Sequence, residues 1–154
     1  MGDKVFLDTN ILVYAYDATA GRKCEIARDE MKKLWNSGLG VVSTQVLQEF
    51  YVTVTRKIPK PMEAGVARNI VQDLLKWEVV VNQGEDILEA VDIQEKHHLS
   101  FWDALIVQAA LRGGAKFLFS EDLTGGRLGD GRLGGGPFGG GPFGGEFVIK
   151  NPFV

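Results

Sequence analysis

Short apolar runs alternate along this chain with longer stretches whose apolar residues recur every three or four positions. The short runs are residues 4–7, 40–43, 79–81 and 116–119, with a fifth at 147–149. Runs of this length, rich in Val, Ile and Phe and bounded by turn residues, read as buried strands. The longer stretches predict helices over 25–36, 45–57, 62–76, 86–98 and 100–112. A short one runs through Tyr16, with Thr9 or Asn10 as its cap. Ser37-Gly38 and Gly113-Gly114 supply stops, and Pro59 and Pro61 end the third helix. Strands alternating with helices predict an α/β fold on a mainly parallel sheet.

Four acidic residues interrupt the apolar stretches: Asp8, Glu49, Asp103 and Asp122. Asp8 directly follows Val5-Phe6-Leu7, and Asp103 lies inside Phe101-Trp102-Asp103-Ala104-Leu105-Ile106-Val107. An ionised carboxylate at the edge of a core needs a partner, a hydrogen-bond network or a metal. Several carboxylates at one end of a sheet repel one another, and a divalent cation such as Mg²⁺ or Mn²⁺ removes the repulsion. Asp8 and Asp122 both fall just past the C-terminal end of an expected strand, where ligands bind in parallel sheets. Each acid also has a plainer reading. Asp8 and Asp122 suit turns or caps. Ser100 and Asp103 have the spacing of a capping box, with Asp103 reaching back to the Ser100 backbone. Glu49 flanks the apolar stripe of Val46, Leu47, Phe50, Tyr51 and Val54, so periodicity does not single it out.

Composition narrows the classes. The chain has 154 residues, 45% of them hydrophobic, which suits one globular domain spanning 1–154. A formal net charge of -3 excludes binding nucleic acid through a broad basic face, but not through a local rim or a metal. Arg22, Lys23 and Lys57 are the candidates for such a rim, with solvated surface charge the plainer reading of each. One cysteine, Cys24, permits no intrachain disulfide and fits a reducing compartment. Its apolar neighbours mark it as structural. No apolar run approaches the roughly 20 residues of a membrane span, and residues 1–4 leave no room for a leader before the first strand. The expectation is a cytoplasmic protein. There is no Cys/His set for zinc, no nucleophile elbow and no phosphate-binding glycine loop after a strand. His97-His98, at a helix end, reads as surface.

Residues 124–146 stand apart. Gly125 to Gly145 repeats Gly-Arg-Leu-Gly and Gly-Pro-Phe-Gly-Gly, and holds 12 of the chain's 20 glycines. A glycine-rich low-complexity loop is the default for such a stretch. An inert expansion, a lid placing Arg127 and Arg132 on phosphate, and a partner-binding segment are its three readings.

Five motifs together resemble the PIN-domain ribonucleases, and more narrowly the VapC-type toxins of toxin–antitoxin pairs. They are Phe6-Leu7-Asp8-Thr9-Asn10-Ile11-Leu12, Ser43-Thr44-Gln45-Val46-Leu47-Gln48-Glu49-Phe50, Ser100 to Val107, Phe119-Ser120-Glu121-Asp122-Leu123 and Asn151-Pro152-Phe153. The resemblance implies a three-layer α/β/α sandwich and Mg²⁺- or Mn²⁺-dependent cleavage of RNA. It also implies a VapB-like antitoxin partner and a homodimer. It places the acidic quartet on Asp8, Glu49, Asp103 and Asp122, with Thr9, Asn10 and Ser120 in support, and so promotes Glu49. The stretch 124–145 departs from the family pattern. The alternative to an enzyme is a catalytically inactive PIN module that binds RNA or a partner protein. An aspartyl phosphotransferase using Asp8 ranks third, because the residue two positions on is Asn10.

The surface of Ile26, Met31, Leu34 and Trp35 is left open between a partner face and the core.

Overall fold

Three apolar residues, Val5–Leu7, form β1, and the strands on both sides of it have four and three residues. The computed structural model describes residues 2–123 and 147–154. In chain order the elements are β1, α1 (Thr9–Tyr16), α2 (Arg22–Ser37), β2 (Gly40–Ser43), α3 (Thr44–Arg56), α4 (Ala64–Leu74) and β3 (Glu78–Val80). They continue with α5 (Gly84–His97), α6 (Phe101–Arg112), β4 (Phe117–Phe119) and β5 (Val148–Lys150). A 3-10 turn at Ala18–Ala20, capped by the Asp17 side chain, links α1 to α2. The glycine-rich stretch 124–146, with Arg127 and Arg132, lies outside the described residues.

The sheet order is β3-β2-β1-β4-β5, and every pairing is parallel. From β1 the chain steps outward to β2 and β3, then jumps back across to β4. Parallel crossovers are right-handed. Steps in opposite directions therefore put α1–α4 on one face and α5–α6 on the other. The contacts agree: α1 packs on α2 and α3, and α3 on α4, while α5 packs on α6. This is the expected three-layer α/β/α sandwich. The reversal makes the C-terminal ends of β1 and β4 the place where adjacent connections diverge and a crevice opens.

The core runs through the sheet and both helical layers. Phe6, Leu7, Val41, Val42, Leu118 and Ile149 are fully buried in the strands. Strand side chains buried on both faces explain the unbroken apolar runs. Gly40 is required by a close approach: a Cβ there would lie 2.5 Å from the Trp77 ring. Trp77 in turn meets Trp35 edge to face, with centroids 5.3 Å apart. Met31 and Leu34 are buried, so the surface proposed around them belongs mainly to the core. Cys24 is buried and its thiol faces the Ala15 carbonyl, in keeping with a structural role. Among the described residues, no helix is long and apolar enough to cross a membrane.

Several boundaries move for local reasons. Asp8, not Thr9 or Asn10, caps α1, its carboxylate accepting from the Thr9 backbone N–H. α2 starts earlier, at Arg22, because Gly21 at φ 62° turns the chain directly into it. α5 ends on His98 in the left-handed region, φ 56°. β3 shifts back by one residue, so that Val80 is buried beside Ser43 and Val81 is left exposed.

Candidate active site

All four sequence-predicted acids line one cavity of about 630 Å³. Each arrives on a different element. Asp8 stands at the end of β1, Glu49 in the middle of α3, Asp103 in the first turn of α6, and Asp122 just beyond β4. The cavity therefore sits in the crevice that the strand order opens.

Asp8 is the most constrained. Its residue is 8% exposed. The backbone N–H of Thr9 donates to Oδ1 at 2.7 Å, and the Ser120 hydroxyl donates to Oδ2 at 2.8 Å. Ser120 is fully buried, and its oxygen also accepts from the Leu123 N–H at 3.2 Å. The Asp8 backbone N–H donates to the Phe119 carbonyl at 3.0 Å, which locks the end of β1 to the end of β4. Among the described residues no basic side chain pairs with Asp8. Burial pushes its carboxyl up to about 6; the hydrogen bonds from Ser120 and Thr9 pull the other way, and the negative charges of Asp103 and Glu49 add to the rise.

Glu49 is held from both sides. The Thr9 hydroxyl donates to Oε1 at 2.7 Å, and the Gln45 amide lies 3.5 Å from Oε2. Gln45 also donates to the Trp102 carbonyl at 3.2 Å, tying α3 to the start of α6. Sequence reasoning missed Gln45. Its one signal is position: it lies one turn before Glu49 on the same helix flank.

Asp103 makes only half of the expected capping box. Its backbone N–H donates to the Ser100 hydroxyl at 3.1 Å, but its carboxylate does not return to Ser100 and faces the cavity instead. The complete box belongs to α5, between Gln83 and Asp86.

Asp122 is exposed, and its loop is fixed by neighbours. The Asn10 amide donates to Oδ2 at 3.1 Å, while its oxygen accepts from the Glu121 N–H at 3.4 Å. Glu121 is not a solvated bystander. It accepts from the Tyr14 hydroxyl at 2.8 Å and pairs with Lys23. The Lys23 ammonium sits over the rings of Tyr14 and Phe153, and those rings meet edge to face at 5.3 Å. The clamp joins α1, α2, the acidic loop and the C-terminal residues. Lys23 is thereby committed to Glu121, whereas Lys57 lines the cavity. Neither His97 nor His98 does.

The donor set consists of hard carboxylate oxygens with amide and hydroxyl support, which suits Mg²⁺ or Mn²⁺. Among the described residues, no three acidic, His or Cys side chains stand together as a closed metal cluster. Mg²⁺ keeps several of its waters and binds through one or two carboxylates, so a cavity lined by spaced acids meets its needs without a cage.

Residues 5–124 match the PIN domain, and the chain belongs to that family. No curated protein sequence matches it. Several solved structures share the fold, three of them as follows. VapC20 of Mycobacterium tuberculosis, a toxin that cleaves the sarcin-ricin loop, is 22% identical with a TM-score of 0.61; the match covers 77% of this chain and 90% of that one. A toxin–antitoxin complex from Klebsiella pneumoniae is 16% identical with a TM-score of 0.62, covering 97% and 98%. VapBC2 of Rickettsia felis, bound to a DNA fragment from its promoter, is 16% identical with a TM-score of 0.62, covering 96% and 97%.

Proposed function

We propose that this chain is a metal-dependent endoribonuclease, the toxin of a toxin–antitoxin pair. One observation carries the reading: four acids from four elements line a single cavity, and among the described residues no basic side chain pairs with the most buried of them. Membership of the PIN family and the toxin folds of the solved relatives support it.

In this reading Asp8, Glu49, Asp103 and Asp122 hold Mg²⁺ or Mn²⁺. The ion, when bound, activates water and neutralises charge at the scissile phosphate. The chain's own residues do the positioning. Ser120 and the Thr9 N–H fix the two oxygens of Asp8. The Thr9 hydroxyl orients Glu49, and Asn10 holds Asp122. The acids themselves would repel RNA phosphates, so binding of substrate depends on the metal. The natural partner is a VapB-like antitoxin that covers the acidic cavity, toxin copies pair as a homodimer, and the pair acts in the cytoplasm.

The test is cleavage of total RNA by the purified chain with Mg²⁺ or Mn²⁺, beside EDTA and beside Asp8→Asn. Discrete fragments absent from both controls are expected. Absence of cleavage with metal binding retained, seen by calorimetry, would move the chain to a non-catalytic binding module. Cleavage that persists in Asp8→Asn would remove the site assignment.

A further inference from the structure

The four acids are not held alike. Asp8 ends a strand, Glu49 lies inside α3, and Asp103 sits in the first turn of α6. Asp122 is different: it is exposed and stands in the loop after β4, outside any helix or strand. A carboxylate on a loop has many positions open to it, and binding an ion must remove that freedom. The charges that press on Asp8 are those of Asp103 and Glu49, whereas Asp122 is tied in through the Asn10 amide.

Both neighbours of Asp122 are anchored. After it, Leu123 is buried, and its N–H donates to the Ser120 hydroxyl. Before it, both carboxylate oxygens of Glu121 are engaged. Oε1 accepts from the Tyr14 hydroxyl at 2.8 Å, and Oε2 pairs with the Lys23 ammonium. Tyr14 follows Asn10 by four residues, so one face of α1 grips the loop at two levels. Asn10 holds the Glu121 N–H and the Asp122 carboxylate, and Tyr14 holds the Glu121 side chain. Lys23 in turn is seated 5.1 Å from the centre of the Tyr14 ring and 5.7 Å from that of Phe153.

Stability is the plain explanation of such a cluster, and it is a weak one. The Lys23 side chain is 44% exposed, and exposed ion pairs and cation–π contacts stabilise a fold only slightly. Holding four side chains in one geometry costs rotamer freedom that so small a gain hardly offsets. What the geometry does fix is the residue next to Asp122.

We propose that Tyr14, Lys23 and Glu121 are positioning residues for the metal site: they hold the loop so that the Asp122 carboxylate is in place before a divalent cation arrives. This rests on the metal-site reading and deepens it, giving residues outside the acidic quartet a share of the metal affinity. All three act through Asp122. Tyr14 also lines the cavity, but its hydroxyl is committed to Glu121.

The experiment measures Mn²⁺ binding by the full chain without RNA, counting free Mn²⁺ by electron paramagnetic resonance, beside urea unfolding in EDTA. Wild type is compared with Tyr14→Phe and Lys23→Met, and both Tyr14 forms are repeated in an Asp122→Asn background. Changes to groups that orient metal ligands cost 10–100-fold in affinity, and Tyr14→Phe and Lys23→Met should each raise the Mn²⁺ Kd by about 10-fold. Lys23→Met is the sharper arm. Removing a cation from beside an acidic site would by charge alone tighten metal binding, so weaker binding reports lost position. With Asp122→Asn present, Tyr14→Phe should change Kd by less than about twofold, because the carboxylate it positions is gone. A merely structural clamp would move the urea midpoint and leave Kd as it is.

An unchanged Kd in Tyr14→Phe, an unchanged or tighter one in Lys23→Met, or the same loss from Tyr14→Phe in the Asp122→Asn background would overturn the proposal. Failure of wild type to bind Mn²⁺ sinks the metal-site reading and this proposal together. Binding without RNA cleavage sinks only the ribonuclease reading, and the Kd values still decide this one.

Discussion

Asp8 and Asp86 are both buried, at 8% and 4% exposure, and the molecule treats them in opposite ways. Asp86 lies in the first turn of α5. It pairs with Arg112, accepts from the Gln108 amide at 2.9 Å, and accepts from the Gln83 N–H at 2.7 Å to complete a capping box. Its charge is answered inside the protein. Among the described residues, Asp8 receives one hydroxyl and one backbone N–H, and the charges that act on it, Asp103 and Glu49, share its sign. Burying a carboxylate is costly in both places. At Asp86 the cost is offset by a structural ion pair. At Asp8 no basic side chain among the described residues offsets it. Burial alone therefore does not distinguish the two carboxylates; the sign of their neighbours does.

The contrast can be broken at either residue. The largest effect is expected from Asp8→Asn, which should lower cleavage by at least about 100-fold, since even outer-shell changes at metal sites cost 10–100-fold. The same change should stabilise the metal-free protein. Asn caps helices as well as Asp, so the bond from the Thr9 N–H survives while the uncompensated charge goes. Urea unfolding in EDTA at pH 8 should show a gain on the order of 3 kcal/mol, the worth of a carboxyl moved from about 3.9 to about 6. A loss would mean that burial of this charge is not a burden.

Next in size is the pH response of the metal-free chain. Between about pH 4 and 6 the folded form holds a proton on Asp8 that the unfolded chain has released, so stability should fall as pH rises through that window. Titration of the urea midpoint, with Asp8→Asn as control, reads it. Saturating Mg²⁺ should abolish the decline, and a decline that survives metal would detach it from Asp8.

The smallest effect should come from Asp86→Asn, with the opposite sign. Losing the ion pair should cost roughly 1–3 kcal/mol, towards the lower figure because the Arg112 side chain is 40% exposed and can turn to water. Cleavage per folded molecule should not change. If Asp8→Asn and Asp86→Asn shift the urea midpoint in the same direction, the distinction between them collapses.

Much of this was legible in the sequence because the signals were local. Strand runs such as Gly40–Ser43, the stops at Gly38 and Gly113, and the acids just past β1 and β4 all follow from neighbours along the chain. The rest depended on distance. Glu49 was invisible to periodicity because a helical wheel measures distance from the apolar stripe, whereas the cavity lies on the flank between α3 and α1. Only the family resemblance promoted it. Tyr14 and Glu121 are 107 positions apart, and nothing local joins them. Asp86 went unremarked since its partners, Gln108 and Arg112, belong to the next helix. Asp103 combines both: its backbone N–H keeps the local bond to the Ser100 hydroxyl, while its carboxylate takes a place on the cavity wall.

The sheet ends on both sides in strands of three residues, each carrying a charge: Glu78 in β3, bonded to Lys4 at 2.8 Å, and Lys150 in β5. So short and charged a margin is a poor template for adding a strand. Among the described residues, the sheet's backbone therefore offers a partner polypeptide little to extend. The same margins keep one copy from zipping onto the next, which matters for a protein whose parallel sheet can form only after distant segments of the chain have met.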